Sequence, residues 1–182
     1  MGREKERYGG VKVGSAFFGW LTATGTAVLL TALLAAAGIA VGLASDTGAG
    51  EAANSATQAA ETVGIAGAIA LLAILFVSYY CGGYVAGRMA RFNGVKQGIA
   101  VWVWALLIAT IVAGLSAVAG DKFNVLARLN SFPRIPISEG VLTTGGILTA
   151  LAVAAASLIG AILGGLAGMR FHRRVDKAGL GQ

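Results

Sequence analysis

Few residues in this chain are of a type that does chemistry. There is one histidine, His172, and one cysteine, Cys81. A metal site takes three or four ligands, and His172 has no second histidine to work with. Cys81 has no partner for a disulfide. It sits deep in an apolar run, where a free thiol behaves as a small apolar side chain. No Ser/His/Asp or Cys/His set for nucleophilic catalysis can be assembled, and no carboxylate pair falls inside an apolar segment. The expectation is a protein that is not an enzyme, with no catalytic residue, cofactor or metal.

The basic residues are the other candidates. Lys12 and Lys96 each follow Gly-Val and stand two residues before another glycine: Gly10-Val11-Lys12 with Gly14, and Gly94-Val95-Lys96 with Gly98. A phosphate-binding glycine loop has a longer fixed spacing and a preceding strand, and neither is present. A lysine at the lipid headgroup boundary, with the glycines forming a turn into a helix, explains the pattern better. Lys12, Arg88, Arg91, Lys96, Arg170 and Arg173 could contact headgroups electrostatically; the simpler reading makes them topology determinants. The net charge of +6 does not imply nucleic acid, because the cations cluster at the ends of apolar runs and not along one polar face. Within those runs there is no ionisable residue of the kind that marks proton relays or ion paths. The polar groups there are hydroxyls such as Thr22, Thr24, Thr26, Thr31, Thr110 and Thr149, which are expected to bond their own helix carbonyls.

The elements that hold these residues follow from charge spacing. The 182 residues are 57% hydrophobic and only 12% charged, with a mean hydropathy of +0.78. Charge-free windows run for 33 residues after Lys12, 26 after Glu61, 24 after Lys96 and 30 after Glu139. About 20 apolar residues cross the hydrocarbon core as a helix. A charge at the bilayer centre costs roughly 2.5–3.5 kcal/mol on insertion scales, which accounts for its absence. Period-two alternation, the mark of barrel strands, is missing. The sequence therefore predicts an all-α membrane protein with spans near 16–43, 63–87, 99–119 and 142–168. The first window is much longer than the apolar core of a signal peptide and reads as a retained span.

Eleven Lys and Arg fall in the N-terminal segment, the loop joining spans two and three, and the C-terminal segment; three fall in the other two loops. The positive-inside rule then places both termini in the cytoplasm of a multi-pass cell-membrane protein. Phe17, Phe18, Trp20, Tyr79, Tyr80, Tyr84, Trp102 and Trp104 lie in the cytoplasmic parts of their spans and read as an interfacial belt.

The chain also repeats itself. At an offset of 84, Gly10, Val11, Lys12, Gly14, Ala16 and Trp20 recur as Gly94, Val95, Lys96, Gly98, Ala100 and Trp104. At an offset of 82, Thr62, Gly64, Ile65, Gly82, Gly83, Arg88 and Arg91 recur as Thr144, Gly146, Ile147, Gly164, Gly165, Arg170 and Arg173. The units are two tandem helical hairpins, 1–93 and 94–182. Each crosses and returns, so the repeats are parallel. Residues four apart share a helix face, and small ones let a neighbouring backbone approach. Gly160, Gly164 and Gly168 form such a ridge, matched by Ser78, Gly82 and Ala86, with Gly38 and Gly42 in span one. Packing within the bundle is the main reading, and a homo-oligomer interface the alternative. Residues 46–62 are expected to extend span two as a solvated helix. The apolar set in 121–139 is expected on the outer membrane surface.

The GVKxG stretches, GGYVAGRMARFNG closing span two and GGLAGMRFHRRVD closing span four resemble small four-helix integral membrane proteins of bacteria, actinobacterial ones especially. The resemblance implies a cytoplasmic-membrane location and no particular activity. The expected partner is the lipid bilayer. The expected role is a non-enzymatic scaffold or interaction protein, with a small channel or permease as the alternative and a holin-like pore former behind it.

Overall fold

A computed structural model describes residues 9–44, 65–90, 92–123 and 144–179, and the side-chain surroundings of 9–37, 67–90, 92–115, 147–170 and 175. Four helices account for nearly all of it: α1 Val13–Ala44, α2 Ile65–Met89, α3 Gly94–Phe123 and α4 Thr144–Gly179. No strand occurs among the described residues. Each helix holds a stretch of 22 to 25 residues that is long and apolar enough to span a membrane, since 20 residues already cover about 30 Å. Leu29, Leu33, Leu115, Leu148 and Leu151 are each more than 60% exposed. In water that much open leucine would be a large unsatisfied apolar surface; in a bilayer it is the lipid-facing wall. The protein is an all-helical, multi-pass membrane protein.

Helix ends differ from the expected spans in an informative way. The third helix begins at Gly94, not near 99. Asn93 adopts φ 64°, the left-handed conformation that asparagine tolerates better than most residues. Its carbonyl accepts the Gln97 N–H at 3.0 Å, so helical bonding starts at once. The second GVK stretch is therefore a first helical turn, whereas Gly10, Val11 and Lys12 precede α1. The fourth helix runs past the apolar window to Gly179. The expectations for 46–62 and for most of 121–139 lie outside the described residues.

The helices associate unequally. The most extensive contact joins α2 and α4; α1 packs on α2, α3 packs on α4, and α3 also touches α1 and α2. Among the described residues α1 and α4 do not meet. Contacts rise together along α2 and α4, from Gly160 beside Phe76 to Gly168 beside Tyr84, so these two helices are parallel. Contacts along α3 and α4 run in opposite directions: Gly94 meets Gly165, and Gly98 meets Ala161. The alternating up-down order follows.

Burial does not follow the sequence repeat. α1 buries Ala16, Gly19, Ala23 and Ala27, while α3 buries Gly94, Gln97, Gly98 and Val101. At the 84-residue offset the partners of Gly19 and Ala23 are Val103 and Leu107, both exposed. The described buried residues gather towards the end that carries Lys12, Arg88, Lys96 and Arg170, hereafter the basic end, although Val153 of α4 is buried nearer the other end. Towards the opposite end, none of the described side chains of α1 beyond Ala27 or of α3 beyond Val101 is buried.

Candidate functional site

The basic half of the bundle is built on backbone-to-backbone contact. Where α2 meets α4, a Cβ placed on Gly164 would overlap the Tyr80 carbonyl and sit 2.8 Å from the Tyr84 nitrogen. Gly160 and Gly168 meet the same face of α2, at Phe76 and Tyr84. A second row on α4 runs through Ala161 and Gly165. It seats against Gly83 and Gly87 of α2 and against Gly94 and Gly98 of α3. Only glycine fits the glycine positions, because real Cβ atoms do not approach backbone this closely. α4 thus lies in a trough between α2 and α3.

Ser78, Gly82 and Ala86, the repeat equivalents of Gly160, Gly164 and Gly168, meet a different neighbour. Gly82 faces α1, where a Cβ on it would fall 2.8 Å from the Ala23 Cβ, and Gly19 returns the contact, 2.6 Å from the Gly82 carbonyl. Ala86 lines the same α1 side, with an added Cβ on Gly19 falling 2.9 Å from its Cβ. The α2 positions that receive α4 are one residue further on, at Gly83 and Gly87. One residue turns a helix by about 100°, so equivalent positions in the two repeats need not share a neighbour. Gly38 and Gly42 lie in α1, but their surroundings are outside the described residues. The rows Gly83/Gly87, Gly94/Gly98 and Gly19/Ala23 carry the same four-residue signal as the rows singled out from sequence.

Three polar side chains are buried among the described residues: Ser78, Gln97 and Ser157. Gln97 is fully buried at the start of α3. Its Oε1 accepts the Lys12 N–H at 2.6 Å while its Nε2 donates to the Lys12 carbonyl at 3.2 Å. With the amide turned the other way, like would face like at Lys12, leaving only a 3.5 Å contact to the Gly10 carbonyl; the paired orientation is the physical one. Ser157 accepts the Trp102 indole N–H at 3.1 Å, tying α3 to α4, and bonds the Val153 carbonyl at 2.8 Å. The Ser78 hydroxyl has no hydrogen-bond partner. Thr22, Thr24 and Thr110 bond the carbonyls of Phe18, Trp20 and Leu106 one turn back, at 2.8–3.0 Å.

The aromatic residues divide into two groups. Phe18, Tyr80 and Tyr84 face outward, as a belt requires. Trp20, Tyr79 and Trp104 instead pack on the buried cluster of Ala16, Ala86 and Val101, and the Phe17 ring lies 5.4 Å from Trp104 across the α1–α3 contact. These four residues serve the interhelix core.

Lys12, Lys96 and Arg170 are exposed and Arg88 is half-buried. All four stand at span ends on one side of the bundle. Gly168 lies against the Arg88 backbone, and the Gly94 N–H points at the Met169 sulfur, which seats the turn preceding Arg170 beside the start of α3. Arg173 is in the helical tail of α4 with its surroundings undescribed, and Arg91 lies outside the described residues. Among the described residues no group of three or more His, Cys, Asp or Glu side chains is assembled. No family model, curated protein or solved structure matches the chain.

Proposed function

We propose that the protein is a non-enzymatic scaffold or interaction protein of the cell membrane, with both termini in the cytoplasm and lipid as its immediate partner. One observation carries the reading: the basic half of the bundle is closed by direct backbone contact along three helix seams, at Gly19/Gly82, Gly83/Ala161 and Gly98/Ala161. A conducting path through a single bundle would have to part those seams. The eleven-to-three division of Lys and Arg supports the orientation.

Reconstitution into vesicles loaded with ions or a small dye tests this reading. No flux at any imposed potential is the expected result. Flux above protein-free vesicles would overturn it in favour of a channel or permease, and lysis on overexpression would turn it towards a holin-like pore former.

A further inference from the structure

We propose that the basic end of the bundle is a binding surface for the phosphate of anionic phospholipid headgroups, with Lys12, Lys96 and Arg170 acting together and Gln97 as the positioning residue. Four observations lead there. First, the structure joins the two lysine-bearing helix starts. The buried Gln97 amide grips the backbone N–H and carbonyl of Lys12, and Lys96 is its chain neighbour. Second, the contact of Gly94 with Gly165 and Met169 brings the end of α4, and so Arg170, to the same rim. Third, Lys12, Lys96 and Arg170 are all exposed, although they come from three separate stretches of chain. Fourth, the membrane-crossing stretches begin at Val13 and Gly94 and end at Arg170. All three cations therefore stand at headgroup depth.

Charge complementarity selects the occupant. The N-terminal segment, the middle loop and the C-terminal segment hold eleven cations against three carboxylates, Glu4, Glu6 and Asp176. An anionic leaflet attracts such a surface, and each basic residue near it raises its affinity about fivefold. Lysine presents a mobile ammonium that suits a phosphate oxygen, and arginine adds a planar fork. Gln97 is the informative residue. Its repeat equivalent is Val13, so a glutamine is not needed merely to continue a helix there. A buried amide costs stability unless it is bonded, and its two bonds fix the α1 start beside α3.

The test uses full-length protein in vesicles of phosphatidylcholine with added phosphatidylglycerol, and reads the association of spin-labelled phosphatidylglycerol relative to labelled phosphatidylcholine. The wild type should prefer phosphatidylglycerol. The double variant Lys12→Gln/Lys96→Gln should lose that preference by about fivefold or more. The charge-matched variant Arg174→Gln/Lys177→Gln, altered further along the α4 tail, should stay within about twofold of wild type on the same scale. Gln97→Met keeps every charge, and it should still lower the preference because the two lysines are no longer held together. Equal losses in the two double variants would reduce the rim to general attraction and overturn the proposal. Full retention in Gln97→Met would overturn the positioning role. Displacement of the labelled lipid by inorganic phosphate would assign the surface to a soluble anion and overturn the lipid assignment. Both leaflets carry the lipid, so the result does not depend on cellular orientation, and the flux assay fails or succeeds separately.

Discussion

Replacing Gly164 by alanine adds one methyl group at the tightest point of the α2–α4 seam. The added carbon would overlap the Tyr80 carbonyl oxygen and lie 2.8 Å from both the Tyr80 carbonyl carbon and the Tyr84 nitrogen. Ordinary contact begins at roughly 3.5 Å, and a gap of 0.5–1 Å forfeits a quarter to a half of each dispersion well. α4 must therefore retreat by more than half an ångström or so, and the neighbouring contacts at Gly160 and Gly168 loosen with it. Overpacking of this kind costs about 1–3 kcal/mol. Gly25→Ala is the control, because nothing lies within 4 Å of its added carbon. Both changes gain the same helix preference of alanine over glycine, so their difference isolates the overlap. Unfolding in mixed micelles, followed by the fluorescence of Trp20, Trp102 and Trp104, should place Gly164→Ala about 1–3 kcal/mol below Gly25→Ala. Equal stabilities would refute the backbone-contact account of the seam.

Gly164→Leu should disrupt folding more than Leu158→Ala, since Leu158 is only half-buried; size-exclusion of the two variants in detergent decides it. Ser157→Ala leaves the Trp102 N–H without its acceptor and should cost about 0.6–1.7 kcal/mol, the range for interhelical hydrogen bonds in membranes; the unfolding assay above reads it. Asn93→Val puts a β-branched side chain at φ 64° and should cost roughly 1–2 kcal/mol, whereas Asn93→Gly should be tolerated. In intact spheroplasts a tag at either terminus should be protected and one near Asn54 exposed; the reverse pattern would defeat the proposed orientation.

The number of helices and their approximate limits were legible because a charge in the bilayer core is expensive, and charges therefore mark where each span stops. Position-by-position packing was not legible. The repeat at offsets of 84 and 82 suggested that like residues have like neighbours, yet Gly19 is buried while Val103 is exposed. Sequence identity preserves residue type; the face of a helix that is covered depends on which neighbours it finds, and α1 and α3 find different ones. The glycine rows were visible as rows, but a row does not name its partner: Gly82 meets α1, whereas Gly164 meets α2. Trp20 and Trp104 share the composition of an interfacial belt with a core aromatic cluster, and only the crossing of α1 with α3 separates the two. Gln97 gave no periodic signal, because a single buried amide is defined by the backbone segment it grips.

Buried residues thin out away from the basic end: the described parts of α1 beyond Ala27 and of α3 beyond Val101 have none, while α4 keeps Val153. At the basic end, acyl tails meet a close-packed surface built on glycine contacts. Beyond Ala27 and Val101 most described side chains of α1 and α3 are open to acyl tails.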